Sequence, residues 1–258
     1  MSLSSYITLI IPVGWLFKKV KRMDNLLKNG KVLKTIKLID NSIFNIGMSV
    51  CFIEIDKTYI GETSVIDVNG NMTQVDFAKQ KFIIKDSLSA NIVNKIESQT
   101  LAYLGNRLIR GSALRSTANN PDGDVNLVMS VGKNEIVKVS SSVESTGIGK
   151  WKVGFPSING NLKSIGPVGV YGKTHVCGNS VTFLTTETKK EAENLKTLLH
   201  TSVYKFLVTL TKSSAFNSKT MFNRFPDVNL TTEWTDVAIY KHFNLTQEEI
   251  DYITGKQL

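Results

Sequence analysis

The chain has 258 residues and carries 31 Lys and Arg side chains against 22 Asp and Glu, which gives a formal net charge of +9. Hydrophobic residues make up 41% and charged residues 21% of the sequence, a composition that excludes long disordered segments and fibrous repeats. The length allows one large fold or two compact domains, and the basic excess favours a polyanionic partner.

The longest apolar run does not have the features of a membrane or export segment. Residues 6–17 are too few to span a bilayer and include Pro12. Basic residues come after this run rather than before it, unlike in a signal peptide. Cys51 and Cys177 lie in apolar surroundings without the spacing of a metal site. We therefore expect a reduced, cytoplasmic setting.

The first part of the chain alternates between strand and helix patterns. Residues 6–12 form a continuous apolar run, typical of a strand buried on both faces of a parallel sheet. Apolar residues recur at helical spacing over residues 16–27, and residues 32–39 and 48–55 are predicted strands. This order is typical of the edge of an α/β sheet. Because these strands are too few for a free-standing domain, residues 1–57 are predicted to belong to a larger one.

Short strand-like segments separated by Gly, Asn and Ser turns dominate the rest of the chain. A short amphipathic helix is predicted at residues 89–97, and one long helix at residues 188–212, where the apolar residues keep the helical period. Thr235 and Thr246 each precede a predicted short helix, and Thr246 with Glu249 has the spacing of a capping box. The predicted strands cover residues 63–68, 81–84, 125–131, 135–139, 168–171 and 180–185.

Positive charge is concentrated in a few stretches of the sequence. Residues 1–40 contain eight Lys or Arg against Asp24 and Asp40, a net of +6, which leaves +3 of the total +9 for the other residues. Clusters without acidic residues suit loops that meet phosphates, although a single cluster is equally typical of a solvated surface. The two further clusters are Arg107, Arg110 and Arg115, and Lys150, Lys152 and Lys163.

No catalytic constellation is recognisable in the sequence. No Gly-rich phosphate loop lies between a predicted strand and helix. His175, His200 and His242 are scattered without the spacing of metal ligands. The carboxylates of Asp122 and Asp124 are candidates for binding a cation, but the residues around them are typical of a turn. We therefore expect no metal site and no bound cofactor in this chain.

The end of the chain carries a series of motifs in a fixed order: Glu191-Ala-Glu-Asn-Leu-Lys196, Phe225-Pro-Asp227, Trp234-Thr-Asp236 and Phe243-Asn-Leu-Thr-Gln-Glu-Glu-Ile-Asp-Tyr-Ile253. This series resembles the C-terminal signature of N6-adenine-specific DNA methyltransferases of type II and related restriction–modification systems. The start, residues 6–16 with residues 31–40 and Phe44, resembles the segment after the Asn-Pro-Pro-Tyr catalytic motif in the same enzymes. The matched pieces span both ends and roughly a third of the chain.

The resemblance implies a fold of α/β plus α+β class. Residues 1–57 would be the C-terminal edge of a Rossmann-like methyltransferase sheet. Residues 58–258 would be a mixed, β-rich DNA target recognition domain with one long helix. The family's S-adenosylmethionine pocket and its Asn-Pro-Pro-Tyr motif are not found in the sequence. The resemblance therefore implies a chain that binds double-stranded DNA and needs a catalytic partner chain, paired with residues 6–55, to supply S-adenosylmethionine and methyl transfer.

The expected function assigns roles to individual residues. Enzymes that modify a base in a duplex flip it out of the stack, and Phe44 falls where the family places an aromatic residue against the flipped base. A core position capping the sheet is the alternative for Phe44. Two other functions remain open: an endonuclease subunit of a restriction–modification system, and a non-catalytic remnant that binds a partner protein. The candidates for DNA contacts, chosen for charge and turn context, are Arg107, Arg110, Arg115, Lys150, Lys152, Asn159 and Lys163.

Overall fold

The chain forms two compact units, Met1–Asn94 and Lys95–Leu258. The sequence predicted a division between residues 57 and 58. That division stays a prediction; in the structure, strands after residue 57 join the same sheet as the strands before it. The structure, a computed structural model, describes residues 5–12, 32–39, 43, 50–68, 70–76, 87–111, 120–132, 135–139, 147–212 and 215–255.

A mixed five-stranded sheet, in the order β1-β3-β2-β4-β5, is the main feature of the first unit. β3 is antiparallel to both β1 and β2, whereas β2 and β4 are parallel. The three strands predicted before residue 57 are confirmed. The helix predicted over residues 16–27 and the strand over 81–84 lie outside the described residues. The strands are Tyr6–Pro12 (β1), Leu33–Ile39 (β2), Val50–Asp56 (β3), Thr63–Ile66 (β4) and Met72–Val75 (β5).

Among the described strands of this sheet, β1 lies at the end. Its apolar sequence predicted a strand buried on both faces of a parallel sheet, and this prediction is wrong. Leu9 and Ile10 are 45% and 55% exposed, and the strand pairs with β3 in antiparallel register. Within β1, Ile7 and Ile11 are the residues that pack against the core around the buried Cys51. A continuous apolar run thus does not distinguish a central strand from an edge strand whose side chains are only partly covered.

The second unit is built on two sheets. One is antiparallel with the order β10-β9-β12-β6, and the other has the order β11-β7-β8, with β11 parallel to β7. A buried cluster that includes Val128, Cys177 and Phe183 draws side chains from strands of both sheets. The strands are Ile109–Arg110 (β6), Val125–Ser130 (β7), Glu135–Val139 (β8), Trp151–Pro156 (β9), Gly169–Tyr171 (β10), His175–Cys177 (β11) and Val181–Thr186 (β12).

The single long helix predicted over residues 188–212 is two helices in the structure, Lys189–His200 and Ser202–Thr211. Between them Thr201 has an extended backbone with ψ 154°, which interrupts the helical hydrogen bonds. The Asp236 carboxylate accepts a hydrogen bond of 2.6 Å from the backbone N–H of Ser202 and so caps the second helix. The apolar period continues across the break, which is why periodicity predicted one helix.

Six α-helices lie within the described residues. The helix predicted at residues 89–97 is confirmed, as are the helices after Thr235 and Thr246, and the capping box of Thr246 with Glu249 is present. None of the helices within the described parts of the chain is long and apolar enough to cross a membrane. In chain order the helices are Ser87–Ser98 (α1), Lys189–His200 (α2), Ser202–Thr211 (α3), Lys219–Phe222 (α4), Asp236–His242 (α5) and Gln247–Thr254 (α6).

Candidate nucleic-acid interface

Arg107 belongs to the internal framework of the second unit. It ends the 3₁₀ helix Leu104–Arg107, and its Nη2 donates a hydrogen bond of 2.9 Å to the Asp227 carboxylate, whose other oxygen is 2.8 Å from Nε. Its Nη1 also donates to the backbone oxygen of Thr185 at 3.3 Å. Burial raises the pKa of Asp227, and the Arg107 guanidinium opposes this shift. Arg107 therefore connects the segment around Asp227 to β12, and its predicted DNA contact stays a prediction.

Arg110 is placed differently from Arg107. It lies on β6 opposite Thr182 of β12, and its side chain is exposed. Arg115 and Phe44 lie outside the described residues, so their predicted roles stay predictions. Of the predicted arginine cluster, Arg110 is the described member that is available to a phosphate.

Lys150 and Lys152 are adjacent but differ in exposure. The exposed Lys150 ammonium is 2.7 Å from the Glu187 carboxylate. Lys152 is fully buried, and its ammonium donates a hydrogen bond of 2.7 Å to the backbone oxygen of Lys150. The prediction that Lys152 contacts DNA assumed an exposed side chain and needs correction. Strand β9 is covered on both faces along its central residues, so the ammonium does not reach solvent.

The surroundings of Lys152 are a buried group of ionisable side chains. Burial lowers the pKa of Lys152 to about 8 and raises the pKa of both Tyr171 and Cys177 to about 12. Burial also lowers the pKa of His175, whose ring centroid lies 5.9 Å from that of Tyr171. Within the described residues, no three His, Cys, Asp or Glu side chains are grouped so that they could hold a metal ion. Lys152, Tyr171 and Cys177 are buried and belong to the core, and His175 is half-buried beside Tyr171.

The loop between β9 and β10, residues 157–168, carries Asn159 and Lys163. The Asn159 amide donates a hydrogen bond of 3.0 Å to the Ser164 backbone oxygen and accepts one of 3.3 Å from the backbone N–H of Asn161. Its side chain therefore shapes the loop, and its predicted DNA contact stays a prediction. Lys163 is exposed on the same loop. We refer to residues 157–168 as the β9–β10 loop.

The ammonium of Lys212 fills the centre of this loop. It donates hydrogen bonds to three backbone oxygens, those of Asn159 (2.9 Å), Asn161 (3.0 Å) and Ser164 (2.6 Å). Lys212 is buried, and this burial lowers its pKa. Because all three partners are neutral carbonyls, the loop keeps the positive charge of the ammonium. The sequence predicted Lys212 only as the last residue of a helix and did not predict its contacts with the loop. The one feature that marks it in the sequence is its position directly after an apolar stripe.

Asn217 supports the same loop from the connection between α3 and α4. Its side-chain amide donates hydrogen bonds to the backbone oxygens of Pro156, at 2.7 Å, and Ile165, at 2.8 Å. Pro156 directly precedes the loop and Ile165 lies near its end, so one buried amide joins the two arms. The loop is thus held by two buried polar side chains that are both distant from it in sequence.

The segments that meet at this loop contain no carboxylates. Residues 145–186 supply the loop, residues 194–226 supply Lys212 and Asn217, and neither segment has an Asp or Glu. Within these two segments no acidic side chain offsets the cations, although Lys150 pairs with Glu187 just beyond the first segment. The basic residues are Lys150, Lys152, Lys163 and Lys173 in the first segment, and Lys196, Lys205, Lys212, Lys219 and Arg224 in the second.

Comparison with known proteins finds weak structural similarity but no matching sequence. No family model matches the sequence, and no curated protein matches it. The crystal structure of the type IIG restriction endonuclease BpuSI is similar to this chain with a TM-score of 0.38 and 12% sequence identity. The similarity covers 93% of this chain and 42% of BpuSI, so the chain spans less than half of that protein's length. The Rossmann-like character of the first sheet stays a prediction.

Proposed function

We propose that this chain is the DNA-binding, target-recognition portion of an adenine-specific DNA methyltransferase of a restriction–modification system. The observation that carries the proposal is the β9–β10 loop, which exposes Lys163 above the buried, carbonyl-bound ammonium of Lys212. Loop and support come from segments without carboxylates, and phosphate backbones bind to such surfaces. The motif series at the end of the chain supports the assignment to adenine methyltransferases.

Within this proposal the basic residues divide into two groups. Arg110 and Lys163 are exposed and contact phosphates, and Lys150 joins them when the phosphate competes with Glu187. Arg107, Lys152, Asn159 and Lys212 hold the framework of the second unit instead. Of the described candidates for DNA contacts, the proposal therefore keeps Arg110, Lys150 and Lys163.

We also propose that a catalytic partner chain binds the edge of β1 and brings S-adenosylmethionine. Among the described strands, β1 pairs with β3 and lies at the edge of the sheet, and its side chains are largely exposed and apolar. Such an edge is a template for a further strand. The first unit would then provide assembly and the second unit DNA binding.

Salt-dependent binding of a labelled DNA duplex tests the DNA-binding proposal. We expect the logarithm of the binding constant to fall linearly with the logarithm of salt concentration, because bound phosphates release counterions. Lys163→Gln lowers this slope by about 1. Lys241→Gln, at an exposed lysine of α5, is the matched control and leaves the slope unchanged. If the chain does not retain duplex even at low salt, the proposed function is wrong.

A second measurement tests the dependence on a partner chain. The purified chain is incubated with labelled S-adenosylmethionine and duplex DNA, and transfer of label to DNA is counted. We expect none, because the motif that orients the target amino group is not in the sequence. Methylation by the chain alone, abolished by heat denaturation, contradicts the proposed division of labour.

A further inference from the structure

Two large apolar side chains, Ile158 of the β9–β10 loop and Phe216 between α3 and α4, stand exposed opposite each other. Ile158 and Phe216 are directly opposite in an isolated antiparallel bridge. Backbone hydrogen bonds of 2.7 and 2.9 Å between residues 157–159 and 215–217 flank the pair. This is the non-hydrogen-bonded type of pair, in which opposing side chains are closest. Ile158 is 58% and Phe216 54% exposed.

The surrounding structure fixes this pair in place. Lys212 binds three backbone oxygens of the β9–β10 loop, beginning with that of Asn159, directly after Ile158. Asn217, directly after Phe216, binds Pro156 and Ile165 through its side chain. Burying an ammonium without a carboxylate costs free energy. The hydrogen bonds of Lys212 and Asn217 hold the backbone on both sides of the bridge. The positions of Ile158 and Phe216 are therefore closely determined.

The charge around the pair indicates what covers it. An exposed apolar pair with mixed charges around it suits a protein partner, because interface rims are polar and of both signs. Here the two segments that form the bridge have no carboxylate, and they expose Lys163 and Lys219. Leu162, next to Lys163, is also exposed and apolar. Proteins that bend DNA insert Phe, Leu or Ile between neighbouring base pairs while cations bind the flanking phosphates.

We propose that Ile158 and Phe216 form an apolar wedge that inserts into a base step of double-stranded DNA, with Lys163 on the flanking phosphates. This inference rests on the proposed function and gives it a means of distorting the bound duplex. Pyrimidine–purine steps unstack most easily, so the wedge enters a TA step in preference to an A-tract. The hydrogen bonds from Lys212 to three backbone oxygens keep the β9–β10 loop in shape when the wedge separates the bases.

Fluorescence of 2-aminopurine, which rises when the base is unstacked, tests the wedge. The probes are two duplexes of equal length with 2-aminopurine in a central TA step or in an A-tract. We expect wild type to raise the signal only in the TA duplex. Phe216→Ala should abolish the rise and weaken binding of that duplex about tenfold, as loss of one stacked aromatic does. Ile158→Ala should reduce both effects, and Phe216→Leu, which keeps apolar bulk, should restore most of them.

Two control variants separate insertion from charge and folding. Lys163→Gln should lower the salt slope but leave the fluorescence rise at saturation, whereas Phe216→Ala should leave the slope unchanged. Val237→Ala, at an exposed apolar residue of α5, should change neither quantity. Circular dichroism of each variant checks that the fold is retained.

Each possible failure has a distinct meaning. If wild type binds both duplexes with salt dependence but without a rise, or if Phe216→Ala behaves as wild type, the wedge is wrong and the proposed function stands. If wild type binds neither duplex, the proposed function fails, and the wedge fails with it. If wild type self-associates with rising concentration and Phe216→Ala does not, the pair is a protein interface and the wedge is overturned.

Discussion

The Lys212 ammonium lies 2.6 Å from the backbone oxygen of Ser164, a residue 48 positions earlier in the chain. This hydrogen bond connects the residue after α3 directly to the β9–β10 loop. Because Lys212 also binds the backbone oxygens of Asn159 and Asn161, one side chain fixes both arms of the loop. The surface proposed to meet DNA therefore depends on a residue that itself is buried.

Replacement of Lys212 by methionine should destabilise the second unit. The variant keeps an unbranched stem but loses three hydrogen bonds donated by a charged group, so we expect the free energy of unfolding to fall by about 2 kcal/mol. Urea denaturation measures the change. Lys205→Met, at an exposed lysine of α3, is the matched control and should lie close to wild type. Equal midpoints for Lys212→Met and wild type would contradict this role.

The pH dependence of stability should reveal the buried Lys152. Burial lowers its pKa in the folded chain from 10.5 to about 8. Below pH 8 the Lys152 ammonium is charged in both the folded and the unfolded chain, and the full free-energy cost of burying this charge is present. As pH rises from 8 towards 10.5, the unfolded chain binds more protons at this site, so the free energy of unfolding gains a rising contribution. Lys152→Met should remove this contribution, as measured by urea titrations across the window.

Cys177 has the opposite effect in an overlapping pH range, and its variant is the companion measurement. Burial raises its pKa from 9.0 to about 12. Above pH 9.0 the unfolded chain loses this proton while the folded chain keeps it, so stability falls with rising pH. Cys177→Ala should therefore steepen the rise that Lys152 causes. The same pH profile for wild type and both variants would show that neither group titrates as described.

A double-mutant cycle at Arg107 and Asp227 should show a structural ion pair. Arg107→Gln leaves a half-buried carboxylate without its cation, and we expect a loss of about 2 kcal/mol in the free energy of unfolding. Adding Asp227→Asn should recover part of that loss, which thermal or urea unfolding measures. The salt slope of DNA binding should stay unchanged in Arg107→Gln. A lowered slope with normal stability would instead restore Arg107 to the DNA-contacting residues.

Removal of the carboxylate beside Lys150 should strengthen DNA binding. Glu187→Gln frees the Lys150 ammonium, now 2.7 Å from Glu187, and we expect a few-fold higher duplex affinity at low salt. Glu233→Gln is the control, because it changes the net charge equally while its carboxylate faces Lys190 at 3.8 Å. Equal gains in the two variants would mean that only net charge matters and that Lys150 does not contact DNA.

Local patterns in the sequence predicted most elements of the fold. The strands at residues 32–39 and 135–139 and the capping box of Thr246 with Glu249 depend on neighbouring residues alone, and the structure confirms them. The break at Thr201 was not predicted, because the cap that stabilises it comes from Asp236, far along the chain. Strand β1 was placed inside a sheet for a similar reason, since composition does not report which neighbours a strand has.

The candidate site was less predictable than the fold. Charge and turn context singled out Arg110 and Lys163, which the structure shows to be exposed, and their DNA contacts stay predictions. Lys152 has the same charge and a similar context, but β9 is covered on both faces and buries it. Lys212 was missed because its partners are backbone oxygens, which every residue carries and no sequence motif marks. Burial and long-range hydrogen bonding, rather than residue type, decide these positions.

Each compact unit contains one buried cysteine, which can serve as a probe of the opening of that unit. Cys51 is buried in the first unit and Cys177 in the second, and the sequence has no others. A thiol-reactive reagent modifies either sulfur only while the surrounding unit is open. The labelling rates of Cys51→Ala and Cys177→Ala in native buffer therefore report the local opening of the second and first units separately, without an introduced probe.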